Sequence, residues 1–513
     1  MRIRYLLFIL IGWLTISCDA GLDGQLRENI PPRTFLTVNE INLPEGDRLV
    51  SQVNISWWAD DPDGYVIGFE FLILEESRVP RDGQGNPVCQ LPGGIENEWK
   101  FTTRSDSTFV LPIEEGNLDA DVAFFVRAID NQQKVDPTPP CLIFPIRNSP
   151  PVINFRPIET PPDTTFRIVS FGWIATDPDG DANLNRIEVS LNNRTDWVEL
   201  SPNVNFITLR VDDTITPPVA SLFAGRAVNQ TGLSFNDVNL NAENTLYIRA
   251  IDNAGAISIE REHTWYLKQQ TSRVLYVDDF PGTAGDQRRA LHLALLAENG
   301  ITQVDYLSVR DGFAEGGRRV PFSNGFPDRS LAAPTINMML AEWDHIYWVS
   351  NDLDRNIGYA LELTLDFFNQ GGTMFVNIPT KNLLPDNNLF EFLPIQGFEQ
   401  VPTGFNNFVI NANSLVIPNS NLQNPPVLRF SRQLTAARPI IPFGETVNLF
   451  DADFKVRPFF GAAQDFQGNR LIAATNPEQS ILYFGIDINE FTADSERARL
   501  IELTCIEILG FQP

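Results

Sequence analysis

The stretch ISWWADDPDGYVIGFEFLI, residues 55–73, recurs in altered form as FGWIATDPDGDANLNRIEVSL, residues 171–191. Each copy is followed by a similar later segment, FFVRAIDNQQ at 124–133 and LYIRAIDNAGA at 246–256. Because both elements recur in the same order at similar spacing, we predict two copies of one domain. In both copies short alternating strands are divided by Pro, Gly, Asn and Asp, which is typical of an antiparallel β-sandwich of about 100 residues.

The two copies resemble fibronectin type III and related immunoglobulin-like modules. The resemblance rests on the Trp-containing strand, the acidic turn, the GYVIGFEF strand and the late VRAIDN strand. The tyrosine that the family carries four places before the valine is replaced by Val122 and Asn244. The resemblance therefore implies divergent sandwiches, over residues 33–148 and 149–270, and a fold rather than a ligand.

The two DPDG turns have two interpretations. Pro, Asp and Gly in this order suit a tight turn, because Pro fixes φ, Asp accepts local hydrogen bonds and Gly tolerates positive φ. Alternatively, the carboxylates supply the hard oxygen ligands that calcium prefers, although the spacing differs from the twelve-residue calcium loop. The candidate calcium ligands are Asp61, Asp63 and Asp130 in the first copy and Asp177, Asp179, Asp181 and Asp252 in the second.

After residue 270 the periodicity changes. RVLYVDDF, residues 273–280, is a near-continuous apolar strand, and DQRRALHLALLAENG, residues 286–300, has one apolar helical face. Further strands are predicted in VDYLSV, WDHIYWVS, TMFVNI and ILYFGIDI, and helices in IGYALELTLDFFNQGG and DSERARLIELTCIEILGF. Alternating helices and continuous apolar strands predict a parallel sheet covered on both faces.

Residues 271–513 resemble the class I glutamine amidotransferase-like, or flavodoxin-like, three-layer α/β fold, with a β-rich insertion between 396 and 480. The segments that carry the resemblance are WDHIYWVSND, LDFFNQGGTMFVNIPT and SILYFGIDINEF with the closing helix. In active members a cysteine stands at a glycine-flanked turn after one strand, and a histidine and a glutamate follow a late strand. FVNIPTKN, residues 375–382, has no Cys, Ser or Gly, and the late strand offers Asp487 and Glu490 but no His. Because a triad needs a nucleophile beside a base, we predict a domain without catalytic activity.

Acidic and polar residues follow the first and third strands of this predicted sheet, where ligands bind in such folds. They are either ligands of a small molecule or divalent metal, or solvated acids near helix N-termini. Lys381 lies near the same edge and can pair with one of them. The histidines, His263, His292 and His345, have no companion at metal-ligand spacing. The candidate edge residues are Asp278, Asp279, Asn351, Asp352, Asp354 and Lys381.

The N-terminus reads MRIRYLLFILIGWLTISCDAG. Two arginines, a short apolar run and a small residue before Cys18 predict a secretory signal over residues 1–17. LTISC resembles the lipobox of bacterial lipoproteins, which implies lipidation of Cys18, a tether over 18–32 and a location in the cell envelope, with the outer membrane favoured. The alternative is an ordinary signal peptide followed by an unrelated cysteine.

The chain carries 65 acidic and 38 basic residues, a net charge of −27. Such a surface repels phosphate backbones, so the composition argues against nucleic acid as a partner and suits divalent cations or a basic protein. Export permits disulfides. Cys89 and Cys141 fall in one predicted domain and are candidates for a bridge, which the sequence leaves open.

Three functions remain at this level. The first is a non-catalytic interaction or scaffold protein of the envelope, whose sandwiches act as spacers for the α/β domain and bind a protein partner. The second is a module that binds a polysaccharide or small ligand through the strand-end edge and the aromatic residues Phe280, Phe313 and Trp348. The third, a metal-dependent hydrolase acting through Asp278, Asp279, Asp352 and Asp354, has the least support.

Overall fold

The computed structural model describes residues 28–38, 48–310, 332–353, 355–380 and 393–512. Cys18, Phe313, Asp354 and Lys381 lie outside the described residues. The chain divides into two compact units. The first contains the first sandwich together with residues 177–184 and 252–256, and the second contains the remainder of the second sandwich and the α/β domain. Among the described residues, no helix is long and apolar enough to cross a membrane.

The first sandwich consists of a three-stranded and a five-stranded sheet. The three-stranded sheet is ordered β1-β3-β6 and the five-stranded sheet β2-β8-β7-β4-β5. Their strands are β1 (Arg33–Val38), β2 (Leu49–Val50), β3 (Gln52–Asp60), β4 (Val66–Leu74), β5 (Lys100–Thr102), β6 (Asp106–Val110), β7 (Asp119–Asp130) and β8 (Cys141–Arg147).

Trp57 lies at the centre of the core of this sandwich. It is 2 % exposed and contacts the rings of Phe69, Phe109 and Phe124. Its neighbour Trp58 points the other way and is 52 % exposed, as the period of two in a strand requires. The sulfurs of Cys89 and Cys141 form a disulfide beside a smaller cluster of buried apolar side chains.

The second sandwich has two five-stranded sheets, ordered β10-β18-β17-β12-β13 and β16-β15-β14-β11-β9. Trp173 of β11 takes the place of Trp57 and is fully buried. The strands are β9 (Val152–Phe155), β10 (Thr164–Thr165), β11 (Ile168–Thr176), β12 (Leu184–Leu191), β13 (Val198–Leu200), β14 (Phe206–Asp212), β15 (Val219–Ala224), β16 (Asn229–Phe235), β17 (Ala242–Asp252) and β18 (Arg261–Leu267). The prediction of two β-sandwiches is confirmed by these sheets.

The C-terminal domain is built on five parallel strands. β19 (Val274–Asp279) lies between β20 (Asp305–Ser308) and β21 (His345–Ser350), and β22 (Thr373–Asn377) and β31 (Ile481–Phe484) follow on the side of β21. Numbered along the chain, the order is 2-1-3-4-5. Alternate residues of β19 enter different cores, Val274 and Tyr276 on one face and Leu275 and Val277 on the other. The sheet is therefore covered on both faces.

Helices accompany the parallel strands, but two predicted helices are less regular than expected. The predicted helix at 357–372 is a 3₁₀ turn (Asn356–Tyr359) and two short helices, broken where the Thr364 hydroxyl donates to the carbonyl of Ala360. The closing helix continues as a π-helix over Glu502–Ile508, where Thr504 donates to Leu500 in the same way. The helices are α1 (Gly282–Glu298), α2 (Asn337–Leu340), α3 (Ala360–Leu363), α4 (Leu365–Asn369) and α5 (Asp494–Ile501).

Antiparallel strands lie between β22 and β31 along the chain. β30, β26 and β23 extend the parallel sheet beyond β31, and β24, β28 and β29 form a separate small sheet. The strands are β23 (Ile395–Phe398), β24 (Phe405–Ile410), β25 (Val416–Pro418), β26 (Ile440–Pro442), β27 (Val447–Ala452), β28 (Phe454–Pro458), β29 (Gln464–Asp465) and β30 (Leu471–Thr475).

The second sandwich and the α/β domain share a hydrophobic core within one compact unit. Phe166 and Ile168 of the sandwich are buried in the cluster that contains Leu275 and Val277 of β19. The ring of Phe166 meets Trp343 edge-on at 4.8 Å between centroids. Burying these side chains jointly couples the stability of the two domains.

Candidate ligand site at the carboxyl edge of the parallel sheet

Asp278 is the penultimate residue of β19 and is only 1 % exposed. Its Oδ2 accepts hydrogen bonds from Arg310 at 2.6 Å and from the Tyr306 hydroxyl at 2.8 Å. Arg289 lies 3.6 Å away. A buried carboxylate needs such partners, because removing its water is otherwise unfavourable.

Asp279, the next residue, is fully buried and has a separate set of donors. Its Oδ1 accepts from Arg355 at 3.1 Å and from the Asn356 amide at 2.7 Å, and its Oδ2 accepts from the Asn356 backbone N–H. Burial raises the pKa of this carboxyl to about 6, although Arg355 and Asn356 oppose the shift. The side chain thus fixes the chain after β21 to the end of β19.

The predicted metal site at this edge is not assembled by these contacts. The carboxylates of Asp278 and Asp279 face arginines and amides, and Asp354 lies outside the described residues. Within the described ranges, no group of three or more His, Cys, Asp or Glu side chains is placed to hold a metal ion. The arginines that occupy the two acids, Arg310 and Arg355, were not predicted, because they follow other strands and no sequence pattern links them to β19.

Hydrogen bonds fix the end of β22 and the segment after it, so the polar side chains there have a structural role. The amide of Asn377 donates to the carbonyls of Phe484 and Ile486, and Thr380 donates through its hydroxyl to the Arg438 carbonyl at 2.8 Å. Thr380 is 1 % exposed. Its hydroxyl therefore positions the neighbouring loop.

A cavity of about 410 Å³ opens at the carboxyl ends of the parallel strands. Arg288 of α1 donates to Asp487 at 2.7 Å, and Arg432 donates to both oxygens of Glu490 at 2.5–2.6 Å. Sequence reasoning had noted the two acids, but it missed both arginines. The residues that line this cavity include Phe280, Arg288, Asn351, Arg432, Ala436, Asp487 and Glu490.

Of the predicted edge residues that the structure describes, Asn351 alone lines this cavity. Its side-chain oxygen is buried and has no hydrogen-bond partner in the described part of the chain. A buried acceptor without a donor is unfavourable. It marks the place where a bound molecule or a water can complete the hydrogen bonding.

The histidines are structural. His292 is fully buried with Nδ1 2.7 Å from the Tyr347 hydroxyl, and burial lowers its pKa to about 3. His345 lies 2.8 Å from the Thr373 hydroxyl and stacks on Phe511, and burial lowers its pKa to about 4. Burial also lowers the pKa of His263. All three are therefore neutral near pH 7.

In both sandwiches, the DPDG turn and the AIDN segment accept hydrogen bonds from the residues that precede the sandwich. In the first copy Asp63 accepts from the backbone N–H of Ile30 at 3.1 Å, and Asp130 accepts from the Asn29 amide at 2.5 Å. Residues 29–32 read NIPP, and residues 148–151 read NSPP.

The second copy repeats both contacts. Asp179 accepts from the N–H of Ser149 at 2.6 Å, and Asp252 accepts from the Asn148 amide at 2.7 Å. The N-x-P-P repeat is visible in the sequence, but neither the repeat nor its pairing with the acids was predicted. Each N-x-P-P segment is thus held by the DPDG turn and the AIDN segment of the copy that follows it.

These contacts favour the turn interpretation over calcium. Both oxygens of Asp179 accept backbone N–H groups, from Ser51 and Ser149, and those of Asp252 accept from Ala256 and Asn148. Asp181 accepts from the Asp177 N–H. Oδ2 of Asp61 and Oδ2 of Asp177 are buried without a hydrogen-bond partner among the described residues.

No known protein family and no curated protein matches the sequence. Solved structures similar to the chain include the fibronectin(III)-like modules of CbhA from Clostridium thermocellum, at 11% identity, 46% of this chain, 95% of that chain and a TM-score of 0.16. The chicken CNTN1 FN1–FN3 domains match at 10% identity, 48% and 69% coverage and a TM-score of 0.18. The SrpA adhesin from Streptococcus sanguinis matches at 17% identity, 30% and 77% coverage and a TM-score of 0.15. These TM-scores are low, and the β-sandwich assignment rests on the sheets described above.

Proposed function

We propose that this protein is a lipid-anchored, non-catalytic interaction or scaffold protein of the bacterial cell envelope. The anchor rests on LTISC and Cys18. We further propose that residues 271–513 are a flavodoxin-like domain related to the class I glutamine amidotransferases, which the 2-1-3-4-5 strand order supports.

The observation that carries the non-catalytic proposal is the segment after β22. In place of a nucleophile it has Ile378, Pro379 and Thr380, and the Thr380 hydroxyl is bound to the Arg438 carbonyl. A nucleophile needs a base within hydrogen-bond reach, and the three histidines are held by packing elsewhere. The acids at the edge are paired with arginines, which also weakens the hydrolase alternative.

The test is purification of the lipidated chain from its own membranes after reversible cross-linking, with mass spectrometry of the complexes. We expect a stoichiometric envelope partner. In the Cys18→Ser variant we expect loss of fatty-acid labelling and release from the membrane. A turnover reaction that Asp487→Asn or Glu490→Gln abolishes in the folded protein would contradict the proposal.

A second candidate function, binding of a polysaccharide or small ligand, is favoured by one specific observation. The cavity at the strand ends is lined by Asn351, whose side-chain oxygen is buried without a hydrogen-bond partner among the described residues. Its volume of about 410 Å³ lies within the range of small-molecule sites, about 300–1,000 Å³.

A further inference from the structure

The polar groups of the strand-end cavity determine the charge of the molecule that fits there. Arg288 and Asp487 form one ion pair and Arg432 and Glu490 another, with donor–acceptor distances of 2.5–2.7 Å. The four charges cancel within the protein. Each of these four side chains already has a partner of opposite charge. A charged ligand would therefore have to break one of the two ion pairs to form an ion pair of its own. The cavity therefore favours a neutral ligand.

The donors and acceptors of the cavity that have no partner determine which hydrogen-bonding groups the neutral ligand must carry. The Asn351 oxygen is a buried acceptor that requires a donor. Arg288 uses Nε for Asp487, and among the described residues its terminal amino groups make no hydrogen bond, so they can donate to an acceptor on a ligand. A hydroxyl group can both donate and accept.

The wall of the cavity also includes apolar surface. Phe280, at the end of the first parallel strand, contributes an aromatic ring, and Ala436 contributes a methyl group. Small-molecule sites usually combine such surface with a few fixed polar groups. A molecule with apolar C–H faces and hydroxyl edges matches both parts.

We propose that this cavity binds a neutral polyhydroxylated molecule, a monosaccharide or disaccharide unit. The inference rests on the second candidate function and does not depend on the scaffold role. Asn351 accepts a hydrogen bond from one hydroxyl, Arg288 donates to another, and Phe280 packs against the carbon skeleton.

The test is isothermal titration of the full-length protein in a detergent without sugar groups. The probes are glucose, galactose, N-acetylglucosamine and maltose, with glucuronic acid and glucosamine as charged counterparts. We expect saturable binding of at least one neutral sugar and at least tenfold weaker binding of both glucuronic acid and glucosamine. The Asn351→Ala variant should bind at least tenfold more weakly, and Asn421→Ala, an exposed Asn outside the cavity lining, should bind normally.

A second variant protects the test against misfolding. Ala436 is exposed at the cavity, so Ala436→Trp should fold normally and block binding. Binding that survives in both Asn351→Ala and Ala436→Trp would overturn the assignment to this cavity. Binding of the charged sugars alone would refute a neutral ligand but would still support a ligand-binding function. If no probe binds, the inference is refuted, and the scaffold proposal is tested separately by cross-linking.

Discussion

Replacing Asp177 by Asn should stabilise the first compact unit at neutral pH. Asp177 is 6 % exposed, its Oδ1 accepts from the Asp179 N–H at 2.8 Å, and its Oδ2 has no hydrogen-bond partner among the described residues. Within the same described ranges, no Lys or Arg pairs with Asp177, Asp179 or Asp252. In the first copy Lys134 occupies the position that corresponds to Ala256. The hydrogen bond from the Asn29 amide, helped by the backbone N–H and the charge of Lys134, lowers the pKa of Asp130 against the effect of burial.

The size of the effect follows from the pKa of Asp177. Burial, together with the negative charges of Asp179 and Asp252, raises this pKa from 3.8 to about 6. Between these two pH values the folded protein binds the proton more tightly than the unfolded chain, so the free energy of unfolding falls as pH rises from about 4 to about 6. At about 1.4 kcal/mol per pKa unit, the charged side chain destabilises the folded unit above pH 7 by about 3 kcal/mol.

In the Asp177→Asn variant the new amide would keep the oxygen that accepts from the Asp179 N–H and would carry no charge. We therefore expect opening of this unit at pH 7.5 to be less favourable by up to about 3 kcal/mol, a factor of roughly 100. At pH 4.5 the two proteins should differ by only about 1 kcal/mol, because Asp177 of the wild type is then mostly protonated in the folded protein although it is already ionised in the unfolded chain.

Amide hydrogen exchange read by mass spectrometry measures this locally. The peptides to follow contain Ser51, Ser149 and Ala256, whose N–H groups bind Asp179 and Asp252. The matched control is Asp61→Asn, the equivalent change in the first copy at a half-exposed position, where we expect a change within about 0.5 kcal/mol. Equal protection of wild type and the Asp177→Asn variant at pH 7.5, or wild-type protection that does not change between pH 4.5 and 7.5, would refute the reasoning.

Three further predictions concern stability. The Arg310→Met variant should lose about 3–5 kcal/mol of unfolding free energy in urea denaturation, because Asp278 stays buried without its closest cation. The control Arg273→Met, which removes an exposed ion pair, should lose less than about 1 kcal/mol. Equal losses in the two variants would contradict the burial argument. Replacing Cys89 and Cys141 by Ser should destabilise the first sandwich by about 4 kcal/mol, given the separation of 52 residues; a thermal melt that reducing agent leaves unchanged in the wild type would argue against a disulfide. The Phe166→Ala variant should lose about 3–5 kcal/mol and lower the melting of the second sandwich and the α/β domain together, whereas a shift in only one of them would contradict a shared core.

The sequence predicted the two β-sandwiches and the parallel sheet because the signals for them are local. Alternation along a strand, turn residues at fixed places and continuous apolar runs each depend on neighbouring residues. The same reasoning placed Asp278 and Asn351 at one edge of the sheet, because carboxyl ends of parallel strands meet there. It also predicted one helix over 357–372, and it failed at Thr364, whose hydroxyl competes for a backbone carbonyl.

The missed parts of the site are long-range pairings. Arg288 and Asp487 are 199 residues apart, and Arg355 and Asp279 are 76 residues apart. Ion pairs of this kind follow from where the loops converge after folding, and a single sequence contains no pattern that joins their members. The N-x-P-P linkers were a different case, because their repetition was present in the sequence.

The shared core of the second compact unit changes how the repeated sandwiches are understood. As a sequence repeat, both copies suggested equivalent spacers. The second sandwich, however, contributes Phe166 and Ile168 to the core of the α/β domain and pairs Arg167 with Glu342 at 3.0 Å. A spacer domain that moves independently cannot share buried side chains with the α/β domain, because separating the two domains would expose that apolar surface to water. The second sandwich is thus part of the same compact unit as the α/β domain, and a partner that binds this sandwich binds a surface that shares a core with the face of the parallel sheet containing Leu275 and Val277.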